Sequence, residues 1–154
     1  MTGGGGTFGG RFAPQALSLL RIVAALIFLL HGSAKLLGFP ATEMPMPPVG
    51  SFIWVGGLLE LVGGLLLLAG LLSRPVAFIL SGEMAVAYWM FHAPQSTFPL
   101  ANGGDAAILY CFVFLLIAAA GPGPWSVDAA LGRNRAVGRR DDPPRDDLMS
   151  DETG

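Results

Sequence analysis

The chain has 154 residues, 53% of them hydrophobic and 13% charged, whereas an ordinary soluble domain carries about a quarter charged residues. This length allows one domain and leaves little for a soluble part, and the net charge of -2 offers no electrostatic footprint for nucleic acid. The single cysteine, Cys111, excludes an intramolecular disulfide and any cysteine-spaced metal site.

Residues 1–15 contain Gly3-Gly4-Gly5-Gly6 and Gly9-Gly10, too much glycine to order cheaply, and predict a flexible leader. A first membrane span is predicted over 16–37; no cleavage site interrupts its apolar run, which favours a retained helix over a signal peptide. The following loop, with Pro40, Pro45, Pro47 and Pro48 beside Met44 and Met46, reads as an irregular lid. Its two methionines lack the further Met, Cys or His that a soft metal site needs.

Span two is predicted over 52–72 and span three over 75–92, with Pro75 at a helix start where its missing amide proton loses no bond. Span four, 105–121, follows Gly103-Gly104, and Asp105 is placed to cap it. Its apolar part is short for a hydrocarbon core of about 30 Å, so it needs the neighbourhood of Trp125 or a thinner bilayer. Trp54, Trp89 and Trp125 stand near span ends, as an interfacial aromatic belt requires. Residues 132–154 interleave Arg133, Arg135, Arg139, Arg140 and Arg145 with Asp141, Asp142, Asp146 and Asp147, which predicts a disordered tail. The fold class is therefore all-α, an integral membrane four-helix bundle in contact with lipid.

With four spans, Arg11, Arg21, Arg74 and the tail arginines fall on one side and Lys35 alone on the other. The positive-inside rule makes both termini and the Arg74 turn cytoplasmic. Arg21 and Arg74 read as interfacial anchors.

A charged side chain at the bilayer centre costs about 2.5–3.5 kcal/mol on insertion scales, so ionisable residues inside spans must be compensated. Four qualify: His31 and Lys35 on span one, Glu60 on span two and Glu83 on span three. All fall in the outer half, with Glu60 and Glu83 roughly 12–13 Å deep at about 1.5 Å per residue. His31 and Lys35, four apart, share a helix face. Gly56, Glu60 and Gly63 or Gly64 form a thinned face that lets another helix approach the carboxylate. The expectation is a buried polar cluster in which Lys35 or a protonated His31 compensates Glu60 or Glu83, two carboxylates able to share a proton. Tyr110 on span four can reach it. His92, nine residues after Glu83, falls on the opposite side of an unbroken helix and reads as a rim residue. Interhelical glue is an equally good role for such polar groups, and Lys35 alone could snorkel to the headgroups. The chain has no phosphate loop, dinucleotide fingerprint, nucleophile elbow or bis-histidine haem pattern.

From 17 to 131 the sequence resembles the DoxX family of small bacterial four-span membrane proteins. The resemblance rests on Leu20-Arg21, His31-Gly32 and Lys35 in span one, then Leu58-Leu59-Glu60 with Gly63-Gly64 in span two. It continues through Gly70-Leu71 to Arg74 and the span-four exit Gly121-Pro122-Gly123-Pro124-Trp125-Ser126-Val127-Asp128. It implies a bacterial inner-membrane subunit of a redox system, including thiosulfate:quinone and thiol or oxidative-stress systems. Glu60, His31 and Lys35 would form its polar centre.

Three readings follow. In the first, a quinone-like ligand, with no covalent cofactor and no metal, sits at His31, Lys35, Glu60, Glu83 and Tyr110. Glu60, Glu83 and His31 handle protons there, and a protein partner supplies electrons. In the second, the chain is a non-enzymatic anchor or assembly factor. In the third, a homo-oligomer carries a small molecule or metal.

Overall fold

The computed structural model describes residues 8–138 apart from Met44, and the side chains of Phe8, Gly9, Arg11 and 133–138 are not described. The predicted leader before Phe8, Met44 and the tail beyond Gly138 lie outside the described residues. Those residues are helical and form no strand: α1 Phe8–Leu37, α2 Phe52–Ala69, α3 Ser73–Ala87 running on through a π turn at Tyr88–His92, α4 Pro99–Asn102, α5 Asp105–Ala120 and α6 Val127–Gly138.

Local chemistry accounts for the helix ends. The Ser51 hydroxyl accepts the Trp54 amide at 3.2 Å, a side-chain N-cap for α2. Gly70 ends α2 in the left-handed region (φ +71°), and its amide reaches back to Leu66 and Leu67. Three differences from expectation appear here. Gly104, not Asp105, occupies the N-cap of α5, and Asp105 lies in the first turn. There its charge faces the positive end of the helix dipole without bonding an amide through a cap. The chain after Leu131 does not become irregular at once, because α6 runs to Gly138. Ser126 starts it, its hydroxyl accepting the Ala129 amide at 3.1 Å. At the other end, α1 begins eight residues before the predicted span, and the exit loop of α5 packs on that extension. A Cβ on Gly123 would lie 2.2 Å from Ser18 Oγ and 2.8 Å from the Pro14 carbonyl.

The helices pair, α1 along α2 and α3 along α5, with slighter contact between the pairs. Between them sits a small core of Ala25, Phe28, Leu67, Leu80, Phe114 and Ile117, each 0–1% exposed. Phe28 meets Phe114 edge-on at 4.8 Å between centroids. Apolar side chains also cover the outside: Leu19, Ile27, Leu65, Phe78 and Phe112 are all more than 40% exposed. The segments Phe12–Leu37 and Phe52–Ala69 are long and apolar enough to cross a membrane, with only 22% and 28% of their most apolar windows buried. The core helix of a soluble protein is apolar because it is buried; these two are apolar and mostly exposed.

Close approach of α1 to α2 depends on missing side chains. A Cβ on Gly32 would stand 2.5 Å from the Leu61 amide nitrogen, and one on Gly64 would stand 3.1 Å from Leu29 Cα. The thinned face expected on α2 is therefore two rows. Gly57 and Gly64 receive α1, whereas Gly56 and Gly63 face Glu83 and Leu80 of α3.

Candidate functional site

Glu60 lies between those glycine rows and is 3% exposed. On the facing helix, Gly57 leaves room for the stem of Lys35, whose Cβ would be 3.1 Å from a Cβ there. The ammonium donates to Glu60 Oε1 at 2.6 Å. Lys35 is thus spent on a buried carboxylate rather than on snorkelling to headgroups, since leaving that carboxylate unpaired would incur the full desolvation penalty. Glu83 enters from α3 over Gly56, its Oε1 3.3 Å from where a Cβ would stand. The second oxygens, Glu60 Oε2 and Glu83 Oε2, are buried and have no hydrogen-bond partner in the described residues.

A cavity of about 620 Å³ opens above these groups, lined by His31, Lys35, Glu60, Glu83, His92 and Tyr110 among apolar neighbours. That volume is in the range of small-molecule sites, about 300–1,000 Å³. All five residues expected to contact a ligand share it, although they come from four different helices. Phe28 forms part of the wall and its ring lies 5.2 Å from that of Tyr110, tilted by 54°, and Tyr110 in turn meets the His31 ring edge-on at 6.0 Å. The His31 Nδ1 bonds the Ile27 carbonyl at 3.0 Å. Because a carbonyl only accepts, that nitrogen carries a proton.

His92 also lines the cavity, contrary to the phase expected for an unbroken helix. The π turn at Tyr88–His92 adds residues to a turn, so His92 lags the α-helical phase and comes round toward the Glu83 side. Its Nδ1 bonds the Asn102 carbonyl at 3.0 Å, tying α3 to α4 at the cavity edge. No signal in the sequence marks that turn. The second glycine row, by contrast, was available in the doublets Gly56-Gly57 and Gly63-Gly64, seven residues apart. Among the described residues no group of three or more His, Cys, Asp or Glu side chains could hold a metal ion.

The opposite end carries a second polar assembly. Arg21 is fully buried, so it is not the interfacial anchor its sequence position suggests. Its guanidinium donates to the Leu67 and Leu68 carbonyls, the latter at 2.9 Å, and to those of Pro122 at 3.0 Å and Trp125 at 2.5 Å. It thereby caps the negative end of α2 and holds the exit loop of α5. Asp128, on α6, accepts the Leu72 and Ser73 amides at 2.9 and 2.8 Å, capping α3, while its own amide donates to the Gly70 carbonyl at 2.9 Å. Partial burial pushes the Asp128 carboxyl up, but the Ser73 and Leu72 amides and the Arg21 charge outweigh that and hold it below its usual range. Gly70 sits in the middle of this assembly; a Cβ there would be 2.4 Å from Ser126 Cβ and 3.1 Å from Arg21 Cζ. Arg74 likewise caps a helix, donating to the Ala118, Ala119 and Ala120 carbonyls at the end of α5.

The DoxX family model matches residues 16–93. An uncharacterized protein of Haemophilus influenzae is 43% identical over 77% of this chain and 92% of its own length. The inner membrane protein YqjF of Escherichia coli is 31% identical over 73% of this chain and 89% of its own. The inner membrane protein YphA of the same organism is 29% identical, covering 77% and 92%. No solved structure matches the chain.

Proposed function

The chain belongs to the DoxX family, and on that premise we propose that it is an inner-membrane subunit of a redox system that binds a quinone-like ligand. Four membrane spans, α1, α2, α3 with its π turn, and α5, enclose the site. Both termini are cytoplasmic, and the cavity lies toward the outer face. Support for this topology comes from the charges: Arg21 and Arg74 gather at the end where α6 leaves, and Lys35 stands at the other. The inner-membrane location follows the two E. coli relatives.

The observation that carries the proposal is the 620 Å³ cavity, in which apolar and aromatic walls surround a few convergent polar groups. Quinone chemistry fits that donor set. Two buried carboxyl oxygens without partners among the described residues can hold or pass protons, the Lys35 ammonium offsets one negative charge, and the half-buried Tyr110 ring, backed by Phe28, gives a flat ligand a surface to lie against. When bound, a quinone would supply two-electron, two-proton chemistry. The residues of this chain orient it, keep water from it and hold its protons at Glu60, Glu83 and His31, while a protein partner delivers electrons. The test is extraction of the gently solubilised chain followed by mass spectrometry of small molecules. A co-purifying quinone that is lost in Glu60→Gln and His31→Ala is the expected result. Retention of the same ligand in both variants counts against the assignment.

The Lys35–Glu60 ion pair, which bridges α1 and α2, favours a second reading, a non-enzymatic anchor whose polar groups only fasten helices. That reading expects no bound small molecule and a stoichiometric protein partner instead.

A further inference from the structure

The cavity has a side as well as a floor. Phe52, Val55 and Leu59 of α2 and Ile79, Gly82 and Val86 of α3 all line it, and all are exposed on the outside of the molecule as well. Their spacing accounts for both: three and four residues apart on each helix, they form two apolar stripes along the edges of one gap. The gap is bounded lengthwise. The Phe52 and Phe91 rings meet across it at 6.1 Å near the helix ends, and further in Leu80 comes within 2.8 Å of where a Cβ on Gly63 would stand. Between those contacts Gly82 leaves an opening. Gly32, Gly56, Gly57, Gly63 and Gly64 each have a neighbour 3.3 Å or less from the Cβ position, so each is small because something approaches it, whereas a Cβ on Gly82 would meet nothing within 4 Å. Glycine is among the poorest residues for a helix interior, and packing gives Gly82 no reason to be one.

We infer that this gap is a lateral portal between the cavity and the bilayer, held open by Gly82, and that the ligand carries an apolar chain that leaves the site through it. The inference deepens the quinone reading and rests on it: the ring lies at the polar groups, and the chain runs out between α2 and α3. Gly82 stands ten residues before His92, about 15 Å along the helix at about 1.5 Å per residue, which is about half the thickness of a hydrocarbon core of about 30 Å. The opening therefore faces acyl chains, and its rim of Phe, Val, Leu and Ile matches them in polarity. Entry by this route keeps the chain in apolar surroundings throughout. Entry from water would draw the chain out of lipid, and each methylene so exposed makes that route about fourfold less accessible. The portal sorts ligands by shape and apolar length, whichever protons Glu60 and Glu83 hold.

Calorimetric titration of the intact chain in nanodiscs tests this with two benzoquinones that share a ring, one bearing a long alkyl chain and the other none. Each ligand is compared with itself across variants in the same lipid, so that its partition into the bilayer cancels. In Gly82→Leu the chain-bearing quinone is expected to bind at least about tenfold more weakly, and the chainless one to change by less than about threefold. The Cβ enters open space, so Gly82→Ala should unfold at or above the midpoint of the unaltered chain; a lower midpoint would show that packing requires the glycine and would overturn its role. Should Gly82→Leu fail to fold, Val86→Trp narrows the same gap from its exposed rim and takes its place. Unchanged binding of both quinones overturns the portal. Equal weakening of both does so too, because Gly82 would then be a wall of the ring site, and either result leaves the quinone reading standing. Failure of both to bind the unaltered chain overturns the two together.

Discussion

Replacing Arg21 tests the architecture most sharply, because an interfacial anchor and a buried clamp answer differently. The Arg21 guanidinium is fully buried and donates to four carbonyls, those of Leu67, Leu68, Pro122 and Trp125. In Arg21→Met the side-chain volume is kept and the donors vanish. Leu67 retains the Gly70 amide as a partner, whereas the other three carbonyls lose the donor that this side chain supplied. At about 1–3 kcal/mol for each buried polar group left unsatisfied, offset by relief from burying a charge, the net loss should be about 3–5 kcal/mol. Equilibrium unfolding in mixed micelles, followed by tryptophan fluorescence, measures it; Trp125 sits in the loop that the guanidinium holds. The companion variant is Arg21→Lys. An anchor needs only a positive charge, and lysine would restore it. A clamp needs the planar fork, which a single ammonium cannot reproduce across four acceptors, so Arg21→Lys should recover less than half of the loss. A deficit below about 1 kcal/mol in Arg21→Met, or full rescue by lysine, would refute the clamp.

Three further outcomes follow from the same geometry. Lys35→Met should destabilise by about 3–5 kcal/mol, since it strands the 3%-exposed Glu60 carboxylate. The double variant Lys35→Met/Glu60→Leu should lose much less than the sum of the singles, and additivity in the cycle would show that the pair does not couple. Gly32→Ala should loosen the α1–α2 contact by about 1–3 kcal/mol, because the new Cβ meets the Leu61 amide nitrogen at 2.5 Å; an unaltered unfolding midpoint would contradict that packing. Asp128 supplies a pH dependence. Its carboxyl is held lower in the folded chain than the unfolded value of about 3.9, so its contribution is complete above that value and fades as the pH falls through the folded one. Unfolding curves of the unaltered chain and of Asp128→Asn should therefore converge as the solution is acidified below pH of about 4, and a gap of constant size would be the contrary result.

What could be read in the sequence follows from which forces act locally. Helix positions were legible because apolar runs and glycine or proline punctuation are properties of the segment itself: the starts of α2 and α5 at Phe52 and Asp105 coincide with the predicted span starts. Compensation between Glu60 and a base on span one was legible too, because a carboxylate cannot be left alone in an apolar setting. The pairing partner was not, since snorkelling and pairing by Lys35 obey the same composition, and only the room left by Gly57 decides between them. Arg21 was misread for a related reason. Position near a helix end is compatible with reaching headgroups or with folding back onto carbonyls, and the acceptors at Pro122 and Trp125 lie more than a hundred residues away in the chain.

His92 shows a third kind of failure, where the periodicity itself changes. The angular argument that put it opposite Glu83 assumes an unbroken α-helix, and the turn at Tyr88–His92 closes with i to i+5 geometry, the Ala93 amide bonding the Tyr88 carbonyl at 2.9 Å. Such turns are sustained by tertiary contacts, in this case the His92 bond to Asn102 and the packing of Gly104 against the Tyr88 and His92 side chains. The same fact bears on function. The residue that the π turn brings to the cavity is an imidazole tied to α4, so any ligand that displaces the His92 ring must also disturb the Asn102 carbonyl and the start of α5. The two ends of the molecule then differ in kind. At the Arg21 end the Arg21 and Arg74 guanidinium groups are committed to backbone carbonyls, and among the described residues the buried Ser73 hydroxyl there has no partner. At the other end, Glu60 and Glu83 each keep an oxygen without a partner among the described residues, and there those oxygens belong to residues that line a cavity of about 620 Å³, the capacity that the proposed function would use.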